Sequence, residues 1–128
     1  MVLDTSALVA VLLREDGHER LLDTMAAAAS LVIGGPTVAE LALVLAHKLG
    51  RDPVSLIERV LERFEIQVLP FDREHARDAL AAYLRFGKGR HRAQLNFGDC
   101  LTYAVAARAG EPLLCVGDDF PATDLLLA

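Results

Sequence analysis

Five acidic residues stand where a globular chain has little structural need of them: Asp4, Glu40, Asp99 and the neighbours Asp118 and Asp119. Asp4 closes the apolar run "MVLD". Asp99 lies between "LNFG" and the apolar stretch "CLTYAVAARAG". The pair Asp118–Asp119 follows "LLCVG". Glu40 interrupts "TVAELALVLA", a segment apolar nearly all round, and a buried carboxylate there needs a partner. Each acid also has a plain structural reading. Asp4 and Asp99 could cap helices, Glu40 could lie on an exposed stripe, and the pair could be a solvated turn. A cap at Asp4 is not required, because Thr5 and Ser6 can both serve.

Gathered at one place, these carboxylates repel, and each has its pKa raised. A divalent cation relieves the repulsion and reverses that effect. Oxygen-only donors suit Mg²⁺ or Mn²⁺. Zinc is not indicated, since His18, His47, His75 and His91 show no ligand spacing. A carboxylate cluster holding Mg²⁺ has one common use, phosphodiester or phosphoryl chemistry, in which the ion activates water and offsets phosphate charge. The phosphate-binding glycine loops and the G-x-S-x-G elbow are absent, and no Cys–His pair stands out.

The segment "RFGKGRHRAQLNFG" carries Arg85, Lys88, Arg90, His91 and Arg92, the densest positive stretch in an otherwise acidic chain. As a solvated loop it would do nothing further. Leading straight into Asp99, it could instead grip a phosphate backbone without reading sequence.

The elements that must position these groups alternate. "MVLD", "SLVIGG", "IQVLPF" and "PLLCV" predict strands. "TSALVAVLL", "HERLLDTMAAAA", "PTVAELALVLAHKLG", "PVSLIERVLERF", "DREHARDALAAYLRF" and the stretch after Asp99 predict helices. Thr5 or Ser6 is the expected cap of the first helix and Asp72 of the fifth. Val54, Ile57, Val60, Leu61 and Phe64 mark one face of the fourth. "GKGRHRAQLNF" is the one long loop, and "GDDFPATDLLLA" an irregular tail. Alternation of this kind predicts an α/β fold, a three-layer α/β/α sandwich with a mostly parallel central sheet. Ligands of such sheets bind beyond the carboxyl ends of the strands, where Asp4 and the Asp118–Asp119 pair fall.

The chain has 128 residues, 53% hydrophobic and 24% charged, and a net charge of −5. One globular domain spanning residues 1–128 is expected. The acidic balance and the lack of tryptophan argue against a protein that coats nucleic acid non-specifically. No apolar run reaches the roughly 18–20 residues of a membrane span. "MVLDTSALVA" lacks a basic leader, so the cytoplasm is the expected compartment, with Cys100 and Cys115 as reduced core thiols.

Together these segments resemble the PIN-domain ribonucleases, and among them the VapC toxins of type II toxin–antitoxin pairs. "VLDTSALVAVLLRE" is similar to the family's opening, and "FGKGRHRAQLNFGDCLTYAVAARAGEPLLCVGDDFPATD" to its closing block. The resemblance implies an Mg²⁺- or Mn²⁺-dependent endoribonuclease with Asp4, Glu40 and Asp99 as site acids. Where relatives often carry T-x-D-x-D-F, "CVGDDF" puts Gly117 at the first acid, and Asp118 is preferred as the fourth, with Asp119 in reserve. Thr5 or Ser6 would support a carboxylate. Hydrolysis by water would leave a 5′-phosphate and a 3′-hydroxyl. The resemblance also implies a VapB-type antitoxin covering the site, and a homodimer. A PIN fold that binds antitoxin or RNA without cutting is the alternative. A receiver domain would need an acceptor aspartate closing a central strand. A haloacid-dehalogenase-type phosphatase would need an acid where Ser6 stands.

Overall fold

A computed structural model describes residues 1–128. Its elements run β1 (Val2–Leu3), α1 (Thr5–Leu12), α2 (His18–Ala27), β2 (Leu31–Gly34), α3 (Gly35–Leu49), α4 (Val54–Arg63), β3 (Ile66–Leu69), α5 (Arg73–Phe86), α6 (Phe97–Ala109) and β4 (Leu113–Leu114). A 3₁₀ turn follows at Phe120–Ala122. The four strands form one sheet in the order β3-β2-β1-β4, every pair parallel. The expected α/β fold is therefore present.

Val2 and Leu3 show how the layers arise. Successive strand residues face opposite sides. Leu3 joins Leu8, Ile33, Leu41 and Leu45 in one core. Val2 joins Phe86, Leu95, Val105 and Leu113 in the other. Helices α1 to α4 contribute to the first core, and α5 and α6 to the second. The chain steps outward from β1 through β2 to β3, then returns to place β4 on β1's other side. Strand order thus reverses at β1, and the crevice at its carboxyl end is where such sheets bind ligands.

Several local expectations need correction. Asp4, not Thr5 or Ser6, caps α1. Asn96 caps α6, and Asp99 sits inside the first turn. Helix α3 is not buried all round: Thr37, Leu41 and Leu45 face the core, while Leu43 is 74% exposed. On α4, Ile57 and Val60 are buried but Val54 faces solvent. The "GKGRHRAQLNF" loop is pinched at its base by a bridge between Gly87 and Leu95. The tail is less irregular than expected, because Leu127 bridges to Leu113 of β4. Asp72 caps α5 as expected. No helix is long and apolar enough to cross a membrane.

Candidate active site

Asp4 emerges from β1 and is only 7% exposed. Its Oδ2 accepts hydrogen bonds from the Ser6 amide at 2.9 Å and the Ser6 hydroxyl at 2.6 Å. The Val116 amide donates in turn to Ser6 Oγ at 2.9 Å. Ser6 therefore ties the acid of β1 to the chain leaving β4. Capping and chemistry are compatible here: Oδ2 serves the helix, and Oδ1 takes no part in those bonds.

Glu40 approaches from α3. Its carboxylate lies against Gly98 so closely that a Cβ at that position would overlap Oε2. Burial raises the Glu40 pKa; the charges of Asp4 and Asp99 push the same way, and a hydrogen bond with Thr5 opposes them. The Thr5 hydroxyl oxygen also lies 3.5 Å from the Thr37 carbonyl. Thr37 and Thr102 hydroxyls meet at 3.1 Å, so a fully buried polar contact joins α3 to α6 beneath the site.

Asp99 is held by a reciprocal pair with Asn96. The Asn96 amide donates to Asp99 Oδ2 at 2.8 Å, and the Asp99 amide to Asn96 Oδ1 at 2.9 Å. Burial raises the Asp99 pKa, the Asn96 bond opposes it, and the charges of Asp4 and Asp119 raise it further.

Among the two late acids, Asp119 is the one whose charge reaches Asp99. It acts on Asp99 and on Cys115, whose thiol is pushed up to about 11 by burial first and then by Asp4, Asp119 and Asp99. Asp118, the residue favoured from sequence, and Asp119 are both exposed, and of the two it is Asp119 whose charge bears on Asp99 and Cys115. Both acids lie on an exposed turn, between Gly117, whose φ is +105°, and buried Phe120.

The structure thus sets Asp4, Glu40 and Asp99 within electrostatic reach of one another, with Asp119 acting on Asp99 from the tail. None of the four joins an ion pair with a protein cation. Four mutually repelling, oxygen-only groups without an internal counter-ion have the donor chemistry of a hard divalent site. No three of the side chains converge on one point as they stand, so closing on an ion requires side-chain movement.

The five basic residues divide. Arg85 donates to Asp124 Oδ2 at 2.8 Å and lies over the Phe86 ring at 4.5 Å, so it is engaged within the fold. His91 packs edge-on against Phe86 and accepts from the Ala93 amide through Nδ1 at 3.1 Å. Arg90 lies over Tyr83 at 5.2 Å. Lys88 and Arg92 are exposed and join no ion pair. Sequence reading missed Asn96, Gly98 and the Thr37–Thr102 contact. The spacing "NFGD" is itself a capping-box signal that could have revealed Asn96. The widest groove, about 1150 Å³ between α2 and α4, is lined by none of the four acids.

Comparison with known proteins identifies the family. The sequence model of the PIN domain matches residues 1–126. Ribonuclease VapC36 from Mycobacterium tuberculosis is 48% identical over 126 residues, covering 98% of this chain and 91% of its own. Among solved structures, VapC20 of Mycobacterium tuberculosis, a toxin that cleaves the sarcin–ricin loop, superposes with a TM-score of 0.80. It is 16% identical, with 99% of this chain and 97% of its own covered. A toxin–antitoxin complex from Klebsiella pneumoniae gives 0.72, also at 16% identity, covering 99% and 95%. The two structural matches establish the shared fold, and the sequence match is close over nearly the full length: the chain belongs to the PIN domain family and, within it, to the VapC ribonucleases.

Proposed function

We propose that this chain is a divalent-metal-dependent endoribonuclease toxin, cutting RNA at the crevice where Asp4, Glu40, Asp99 and Asp119 meet. One observation carries the reading: four carboxylates from separate segments crowd together without a protein cation. Bound Mg²⁺ or Mn²⁺ would supply a water of lowered pKa and offset charge on the phosphate. Asp4 and Asp99 are the principal holding groups. Each has one oxygen committed to the fold and one available. Glu40 and Asp119 complete the acid ring or orient the attacking water. Ser6 and Thr5 fix the carboxylates they bond.

In-line attack by water at phosphorus leaves a 5′-phosphate and a 3′-hydroxyl. Product ends are the direct test. Fragments that ligate only after 3′-end repair, or that carry 2′,3′-cyclic phosphate, would contradict an external-water mechanism.

A cognate VapB-type antitoxin would silence the site by inserting a positive side chain among the acids, in place of the ion's charge. Lys88, Arg90 and Arg92 are the proposed RNA backbone contacts, whereas His91 packs against Phe86 and Arg85 is paired with Asp124. An all-apolar groove of about 560 Å³ between α5 and α6, edged by exposed Leu80, Tyr83 and Phe97, supports a homodimer. The cytoplasm, where RNA is available, is the proposed compartment.

A further inference from the structure

The basic loop between α5 and α6 is a folded unit, and His91 is its hub. At the base, the Lys88 amide donates to the Leu95 carbonyl at 2.9 Å, and the Leu95 amide to the Phe86 carbonyl at 3.0 Å. Above that ladder, the His91 amide donates to the Gly87 carbonyl at 3.2 Å. The His91 carbonyl accepts twice from Gln94, from its amide at 3.0 Å and from its Nε2 at 2.9 Å. These bonds hold Gln94 in the left-handed region, at a φ of +54°, which non-glycine residues uncommonly adopt. The His91 ring stands edge-on to Phe86 with 5.2 Å between centroids.

A side-chain bond completes the unit. The Ala93 amide donates to His91 Nδ1 at 3.1 Å, closing a ring around the backbone of Arg92. Ala93 is fully buried, so its amide has no water to turn to. A neutral imidazole has one acceptor nitrogen, and here Nδ1 is that acceptor. A protonated ring would set a second donor against the amide. The loop therefore uses His91 for its lone pair, and a positive charge at this position opposes the arrangement. Lys88, Arg90 and Arg92 are exposed on the same loop. Its last residue, Leu95, directly precedes Asn96, the cap of the helix that bears Asp99.

We propose that His91 is a positioning residue for RNA binding. By accepting from Ala93, its neutral ring sets the backbone from which Lys88, Arg90 and Arg92 reach the RNA, and the ring brings no charge of its own to the phosphates. The proposal rests on the reading of this loop as an RNA contact.

The test is binding of a fluorescein-labelled single-stranded RNA of mixed sequence to the full chain, in EDTA at about pH 8, where imidazole is ordinarily neutral. Anisotropy is read for wild type, His91→Asn, His91→Lys and His91→Ala, with thermal melts to establish that each is folded. Asparagine offers an acceptor to the amide two residues on, so His91→Asn should bind within about twofold of wild type. His91→Ala leaves the buried amide unpaired and should bind about fivefold more weakly. His91→Lys should do no better than His91→Ala, despite its added charge. Hydrogen exchange at the Ala93 amide should be slow in wild type and His91→Asn and faster in the other two. A His91→Lys protein that binds as tightly as wild type, or tighter, overturns the proposal, because charge then matters and the acceptor does not. So does His91→Asn binding as weakly as His91→Ala, or His91→Ala binding like wild type. Wild-type binding that is absent, or that Lys88→Gln combined with Arg92→Gln leaves unchanged, overturns the reading of the loop and the proposal with it.

Discussion

Gly98 stands just before Asp99 on α6, and its missing side chain leaves room for the Glu40 carboxylate of α3. Gly98→Ala would favour the helix by roughly 0.5–1 kcal/mol yet force Glu40 aside. The expected outcome is a protein no less stable by urea unfolding that cleaves RNA about tenfold more slowly, ~1.4 kcal/mol in barrier. Unchanged cleavage would show that Glu40's present position is not needed. The raised pKa values of Glu40 and Asp99 make a second prediction. A carboxyl whose folded pKa is raised contributes most to stability below its unfolded pKa, and that contribution is lost as pH rises through the folded value. The ordinary values are 4.5 for Glu40 and 3.8 for Asp99. Metal-free protein should therefore lose stability as the pH climbs from those values toward neutrality. Asp99→Asn at pH 7 should melt higher than wild type by about 2–4 °C without metal, and Mn²⁺ should raise the melting point of wild type alone. A variant that melts lower in EDTA would contradict the repulsion. Asp4, Glu40 and Asp99 stood out in the sequence because acids at strand ends and in an apolar helix are conspicuous. Asp118 and Asp119 stood out as a pair, but sequence alone ranked Asp118 first, because two adjacent aspartates look alike until the turn after Gly117 is known.

The elements themselves were largely readable, since strand and helix periods alternate and Asp72, Gly50 and Gly110 punctuate them as helix signals should. What sequence did not yield was the helix starts that coincide with the site. Asp4 displaces Thr5 and Ser6 as cap because its carboxylate reaches the Ser6 amide from the end of a strand, while Ser6 turns to Val116. Asn96 takes the cap of α6, which frees Asp99 to stand one turn inside with an oxygen to spare. Asn96→Ala tests that division of labour. Loss of a cap costs about 1 kcal/mol, range ~0.5–2, and here Asp99 also loses the partner of its own amide. Equilibrium unfolding should register that loss, and cleavage should fall further than stability explains. Equal activity at matched folded fraction would show that Asn96 serves the helix alone. Buried Thr37 and Thr102 lie on facing helices, a contact no local pattern announces.

At the scale of the molecule, an all-parallel sheet that reverses order at β1 collects acids from α3, α6 and both ends of the chain at one edge. Its basic loop offers fewer free cations than the sequence suggests, because Arg85 and His91 are spent on packing. Neutralising Lys88 and Arg92 should weaken RNA binding across sequences and flatten its dependence on log salt by about 0.7 per lost contact for a single strand. An unchanged salt slope would place the RNA elsewhere. Exposed Phe97, at 80%, and Leu80 should pack against a second copy. Light scattering of Leu80→Glu is expected to show a monomer where wild type is a dimer, and a monomeric wild type would refute that interface. The central claim is that these four acids, loaded with a divalent cation, cut RNA. It is tested most directly by incubating purified protein with RNA in Mg²⁺ or Mn²⁺, in EDTA, and beside folded Asp99→Asn. Cleavage that needs the cation and vanishes in the variant is the predicted result. Cleavage that survives EDTA, or that Asp99→Asn performs as well as wild type, would contradict it.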